Sequence, residues 1–219
     1  MRNATCCFLL LLSSYCFAQQ DKPTDKKSKE DHSIGIGIKF GLNFANVTNA
    51  SSINSKSQTG FNAGIFISPS SKSILSSRTE LTFSRQGYDY STDSSSGSVK
   101  LDYITLSQFM AINITKYVQI QFGGQTSYLL NAKADSSQKS TGNAQADQIL
   151  SFYNRFDYGL GAGIEVHPVL GVVIGARYNL SFANLYKQAS SSGGTAPPSF
   201  VPNINLKNNV VQLYAGYRF

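Results

Sequence analysis

The sequence predicts an all-β fold, an eight-stranded antiparallel up-and-down transmembrane β-barrel closed by pairing of its first and last strands. Three observations carry that prediction. From residue 34 onward apolar side chains recur at every second position, which is the strand period. The connections between these segments alternate long and short, and the chain's last stretch, NVVQLYAGYRF, alternates to a terminal aromatic. No run approaches the roughly 20 consecutive apolar residues of a spanning helix, and only 14% of residues are charged.

Residues 1–18 read as a secretory signal peptide, with Arg2 as the charged start, an apolar stretch over 6–12, and Cys16-Phe17-Ala18 ahead of Gln19. All three cysteines (Cys6, Cys7, Cys16) fall there, so no disulfide or thiol chemistry is expected of the mature chain. Tyr15 stands where a lipid-anchoring signal at Cys16 would need a small residue. Removing Arg2, the one charge in this segment, lowers the net charge from +7 to +6. Residues 19–33 hold four Lys and four acids with almost nothing apolar, and are expected to be a disordered periplasmic leader. The barrel domain is assigned to 34–219.

The first strand is expected over 34–44, where Ile34, Ile36, Ile38, Phe40, Leu42 and Phe44 alternate with Gly35, Gly37, Lys39, Gly41 and Asn43. The second runs over about 59–68, with Phe61, Ala63, Ile65 and Ile67 on its apolar face. The third, over about 77–88, sets Thr79, Leu81 and Phe83 against Arg78, Glu80, Thr82 and Ser84. The fourth, over about 99–112, starts in one phase with Leu101 and Tyr103 and continues in the other with Ile104 and Leu106; a bulge around 105–108 would reconcile the two. The fifth, over 117–129, offers Val118, Ile120, Phe122 and Tyr128 against Gln119, Gln121, Gly123 and Gln125. In the sixth, Phe156 to Val166 on the even positions face away from Arg155, Asp157, Gly159, Gly161, Gly163 and Glu165. The seventh opposes Val172, Ile174, Ala176, Tyr178, Leu180 and Phe182 to Gly171, Gly175, Arg177, Asn179 and Ser181. The eighth is the terminal segment, with Val211, Leu213, Ala215, Tyr217 and Phe219 on one face and Gln212, Tyr214, Gly216 and Arg218 on the other.

Connections over 45–58, 89–98, 130–152 and 183–208 are long and polar; those over 69–76, 113–116 and 167–170 are short. Outer-membrane barrels have short periplasmic turns and longer external loops. That pattern implies the cell outer membrane of a Gram-negative cell, with both termini periplasmic. Strands of about 11 residues, rising about 3.4 Å each and tilted by about 40°, match an apolar band about 25 Å tall.

Periodicity alone does not separate inside from outside, so a lipocalin-like barrel with an apolar cavity is the competing fold. Water-facing strands gain nothing from glycine, whereas a narrow eight-stranded lumen has room for small residues and packed polar ones. The lumen is therefore expected to hold a structural polar network of Lys39, Arg78, Glu80, Arg155, Asp157, Glu165, Arg177 and Arg218, its charges tolerable only when paired. Phe44, Phe61, Tyr88, Tyr103, Tyr128, Phe156, Phe182, Tyr217 and Phe219, near strand ends, are expected in the aromatic girdles facing lipid.

Several segments together resemble a known family: GIKFGLNF over 37–44, GFNAG over 60–64, ELTFSRQG over 80–87, LDYI over 101–104, ARYNL over 176–180, and Tyr217-Arg218-Phe219. The chain is similar to the PorT-like outer-membrane β-barrel domains of Bacteroidetes-type bacteria, over about 35–219. The resemblance implies an outer-membrane barrel whose terminal Tyr217 and Phe219 form the insertion signal read by the barrel-insertion machinery. It implies no common enzymatic activity, and one namesake member takes part in protein secretion.

Catalytic parts are missing from the pattern. His32 lies in the leader and His167 in a short turn, so neither sits beside a serine or aspartate at the external rim as a general base would. No Cys remains and no His/Asp/Glu set has ligand spacing, so neither metal nor other cofactor is expected. Gly159, Gly161 and Gly163 sit at period two inside a strand and not in a nucleotide loop. The mature arginines are dispersed through strands rather than clustered, which argues against nucleic acid as a partner. The expected function is a monomeric, non-catalytic outer-membrane barrel with a structural or interaction role through its external loops, in contact with membrane lipid. A narrow pore, a small-ligand binder, and a secretion accessory acting through the periplasmic face are the alternatives, with an unknown protein partner left open.

Overall fold

A computed structural model describes residues 34–48, 56–69, 74–91, 96–136, 153–185 and 207–219. The expected signal peptide (1–18) and leader (19–33) lie outside the described residues. Eight strands follow in chain order: β1 (Ile34–Thr48), β2 (Lys56–Pro69), β3 (Leu75–Ser91), β4 (Ser96–Asn113), β5 (Val118–Ser136), β6 (Phe156–Val166), β7 (Val172–Ser181) and β8 (Lys207–Arg218). Each pairs antiparallel with its sequence neighbours, and the sheet closes into a barrel as β8 pairs with β1 in a register that sets Gly37 opposite Arg218 and Thr48 opposite Lys207. Closure leaves no strand edge unpaired, the condition lipid imposes on a β structure.

The alternation of the sequence becomes an inside-out distribution of burial. Phe40 is 61% exposed while its neighbour Lys39 is 1% exposed, and the same inversion holds for Leu81 beside Glu80, Ile164 beside Glu165, and Tyr178 beside Arg177. A water-soluble barrel would bury the apolar partner of each pair. This one turns its Ile, Leu and Phe outward and its charges inward, as a lipid solvent requires.

The strands at the long-loop end run further than the sequence predicts. β3, β4 and β5 have 17, 18 and 19 residues, enough to continue well past an apolar band about 25 Å tall. Along this extension the inward and outward chemistry exchanges. Outside, Arg85 forks onto Asp102, with Nε donating to Oδ1 at 2.6 Å and Nη2 to Oδ2 at 3.1 Å, and Lys100 and Lys133 above them are exposed and opposite each other. Inside, Tyr88, Val99, Leu101, Tyr103, Leu129, Ala132 and Tyr153 are buried. The extension thus behaves as ordinary water-exposed sheet, with its own small apolar core.

This exchange corrects two sequence expectations. β4 carries no bulge over 105–108: Leu101, Tyr103, Thr105, Ser107 and Phe109 all point inward without a break. The apolar residues change face because the medium outside changes, not because the strand slips. The irregularity is on β5, where Asp102 pairs with Asn131 and Tyr103 with Leu129, so that Leu130 is the extra residue. Tyr88 and Tyr103, expected in the lipid-facing girdle, are 0% and 2% exposed and fill the lumen of the extension. Phe61, Phe156, Phe182, Tyr217 and Phe219 do face outward.

A second register shift separates the Ser57–Tyr88 and Asn62–Ser84 pairs of β2 and β3. The amide of Asn43, reaching from β1, donates to the carbonyls of Phe61 at 3.1 Å and Arg85 at 2.8 Å, and its oxygen accepts from Asn62 Nδ2 at 2.8 Å. It satisfies backbone groups that the bulge takes out of the ladder. In the turn between β6 and β7, Gly171 has φ of 82°, a left-handed conformation that glycine adopts without steric cost.

Candidate functional site

The lumen at mid-height is crossed by one connected set of side chains, to which every strand contributes. Glu80 on β3 is its centre. Arg177 on β7 grips it with two nitrogens, Nη1 donating to Oε2 at 2.7 Å and Nη2 to Oε1 at 2.9 Å. Lys39 on β1 donates to Oε2 at 2.5 Å, and Arg78 Nε stands 2.8 Å from Oε1. Arg78 Nη1 meets the second carboxylate, Glu165 on β6, at 2.6 and 2.7 Å. Tyr214 on β8 donates to that same carboxylate at 3.0 Å. Bidentate guanidinium–carboxylate pairs of this kind are among the stronger hydrogen bonds available, and burial makes each one harder to do without.

Three buried cations (Lys39, Arg78, Arg177) thus share two carboxylates (Glu80, Glu165). The remaining charge is met by ring faces. The Arg78 guanidinium lies 3.7 Å from the Phe66 centroid on β2, Arg177 lies 3.9 Å from Phe109 on β4, and Lys39 Nζ lies 4.7 Å from Tyr214. Gly37 on β1 makes room for this: a Cβ there would collide with the Phe66 ring. From Arg177 a line of amides descends the inner face of β5. Gln121 accepts from Arg177 Nη2 at 2.6 Å and donates to Gln119 at 2.7 Å, which donates to Asn113 at 2.8 Å.

Residues 17–187 match the family described as an outer membrane protein beta-barrel domain. The chain belongs to this family. No curated protein matches it. Among solved structures it is similar to Ail, the attachment invasion locus protein of Yersinia pestis, in complex with the heparin analogue sucrose octasulfate, at 16% identity over 84% of this chain and 99% of that one, with a TM-score of 0.46. It is likewise similar to Neisserial surface protein A (16% identity, 85% and 97% covered, TM-score 0.45) and to OprG of Pseudomonas aeruginosa (10%, 85% and 94%, 0.39).

In this outer-membrane barrel Lys39, Arg78, Glu80, Glu165 and Arg177 meet in the lumen, whereas three other residues expected there stand apart. Asp157 lies further toward the long-loop end, where it accepts from the Ser181 hydroxyl. Arg155 precedes β6 and is exposed; its Nη1 donates to the Tyr128 hydroxyl on the outer face at 3.2 Å. Arg218 packs over Gly35 at the short-turn mouth. Tyr217 and Phe219 are exposed on the outer surface, their rings edge to face at 5.3 Å.

Gln121, Tyr214, Phe66 and Phe109 are members that the sequence reading does not single out. Gln121 and Tyr214 do fall on the polar faces of their strands, so their direction follows from parity. Phe66 and Phe109 sit among inward glycines and serines, and only the neighbouring guanidinium explains an aromatic there. His167 also joins, its Nε2 3.0 Å from Glu165 Oε1. Among the described residues no group of His, Cys, Asp and Glu is arranged to hold a metal ion.

Proposed function

We propose that this outer-membrane barrel is a non-catalytic, monomeric protein of the PorT-like, Bacteroidetes type, closed at mid-lumen, that presents its long loops to the exterior as an interaction surface. The observation that carries the reading is the network centred on Glu80, to which all eight strands contribute a side chain, so that ions would have to displace buried, mutually bonded groups to pass. The alternation of long and short connections supports periplasmic termini. The exposed terminal aromatics Tyr217 and Phe219 suit recognition by the barrel-insertion machinery.

Planar-bilayer recording tests the closed lumen: the purified protein is expected to give no steady channels, and reproducible nanosiemens-scale openings would favour a narrow pore. Protease added to intact cells is expected to cut in the connection after β5 or after β7 and to spare the β4–β5 turn. Cleavage only of that turn would reverse the orientation. A stoichiometric partner copurifying from native membranes would shift the reading toward a secretion accessory.

A further inference from the structure

The closed mid-lumen does not extend to the short-turn mouth. There the barrel holds a cavity of about 360 Å³, within the range of about 300–1,000 Å³ typical of small-molecule sites. Among the described residues four basic side chains line it, Arg78, Lys116, His167 and Arg218, and no carboxylate side chain does. They come from β3, the β4–β5 turn, the β6–β7 turn and β8, so the barrel's closure gathers them rather than any one basic segment. Neither Lys116 nor Arg218 forms an ion pair among the described residues.

The inner end of the cavity is better defined still. Arg78 is 2% exposed; its Nη1 is committed to Glu165, yet its Nη2 is buried without a hydrogen-bond partner. An unpaired nitrogen on a buried charged group carries a penalty that an incoming acceptor would relieve. Beside it Phe66 and Val173, both about 1% exposed, supply an apolar wall. Phe66 covers the guanidinium, its ring centroid 3.7 Å away, and with Nη1 on Glu165 and Nε against Glu80 the Nη2 group is the donor left for a ligand.

We propose that this mouth is a binding site for a small organic anion, a carboxylate or phosphate head held by Arg78, Arg218 and Lys116 with a compact apolar body against Phe66 and Val173. A bare inorganic anion would leave the apolar wall unused, and a neutral molecule of the same shape would leave Lys116 and Arg218 without a counter-charge. The site is separate from the external loops and needs no passage through the lumen.

Titration calorimetry on the full chain, refolded in nonionic maltoside micelles, tests this with three probes. Phenyl phosphate is expected to bind saturably at one site, inorganic phosphate at least about fivefold more weakly, and benzyl alcohol not at all. The double variant Lys116→Gln/Arg218→Gln, checked for the heat-modifiable gel mobility of a folded barrel, is expected to bind phenyl phosphate at least about tenfold more weakly. Arg78→Gln would remove the site altogether, but it also touches the Glu165 pair, so the double variant carries the test. Absence of saturable heat with phenyl phosphate, equal binding of benzyl alcohol, or unchanged affinity in the folded double variant would each overturn the proposal.

Discussion

Replacing Glu80 by Gln is expected to destabilise the folded barrel by about 3–5 kcal/mol, the cost of removing one partner from a buried ion pair and stranding the other. Three cations lean on this carboxylate: Lys39 at 2.5 Å, Arg177 through two bonds at 2.7 and 2.9 Å, and Arg78 at 2.8 Å. The amide of a glutamine matches the shape but offers one acceptor oxygen and turns a donor toward a guanidinium or ammonium. Asp157→Asn is the internal control. That carboxylate accepts from Ser181 and has no ion pair among the described residues, so its loss should cost far less. Adding Lys39→Met to Glu80→Gln should recover part of the loss by removing one stranded charge. Urea unfolding in micelles reads all three. A cost below about 1 kcal/mol for Glu80→Gln would mean that water already solvates these groups and the lumen is open.

Placing a charge on the outer face should be as costly, for the opposite reason. Phe40 points outward near the middle of the apolar stretch of β1 and is 61% exposed. If lipid surrounds it, Phe40→Arg should cost about 2–4 kcal/mol, the depth-dependent penalty for a cation at the bilayer midplane. Phe44→Arg, nearer the long-loop end, should cost about 0–1 kcal/mol. Unfolding in phospholipid vesicles separates these values. A soluble barrel would show no such gradient, because an exposed phenylalanine in water loses little when it becomes arginine.

Which face each residue takes was readable from parity wherever one medium lies outside the strand. Lys39, Glu80, Glu165 and Arg177 follow it directly. Parity misleads where the medium changes along the strand: above the Arg85–Asp102 pair, water replaces lipid, so Tyr88 and Leu101 go inward, with Tyr103 just below them, while Ile104 and Leu106, lower on β4, go outward. A reading that assumes one apolar face per strand needs a bulge to explain this; a barrel that outgrows its membrane does not. Arg155 escapes the rule for a simpler reason. It stands one residue before β6 begins, where the extended backbone no longer dictates a side chain's direction.

Who bonds to whom was not readable at all. Lys39, Glu80 and Arg177 lie on β1, β3 and β7 and meet only because the strand registers stagger around the closed barrel. A one-residue change in any register would invert the affected strand's faces. The same staggering assembles Arg78, Lys116, His167 and Arg218 at the short-turn mouth from segments far apart in the chain. For function, parity distinguishes a wall from a lumen, and only the register brings together the side chains that cross the lumen at its middle and line a cavity at one end.

The claim on which the rest depends is that the apolar outer face meets lipid. Spin labels placed singly through Cys at 36, 38, 40 and 42 in vesicle-reconstituted protein test it by collision with dissolved oxygen, which concentrates in the bilayer, and with an aqueous nickel chelate. High oxygen accessibility with little nickel accessibility across all four positions is the predicted result. Nickel-accessible, oxygen-poor labels at these positions would show that water covers this face and would contradict the membrane barrel.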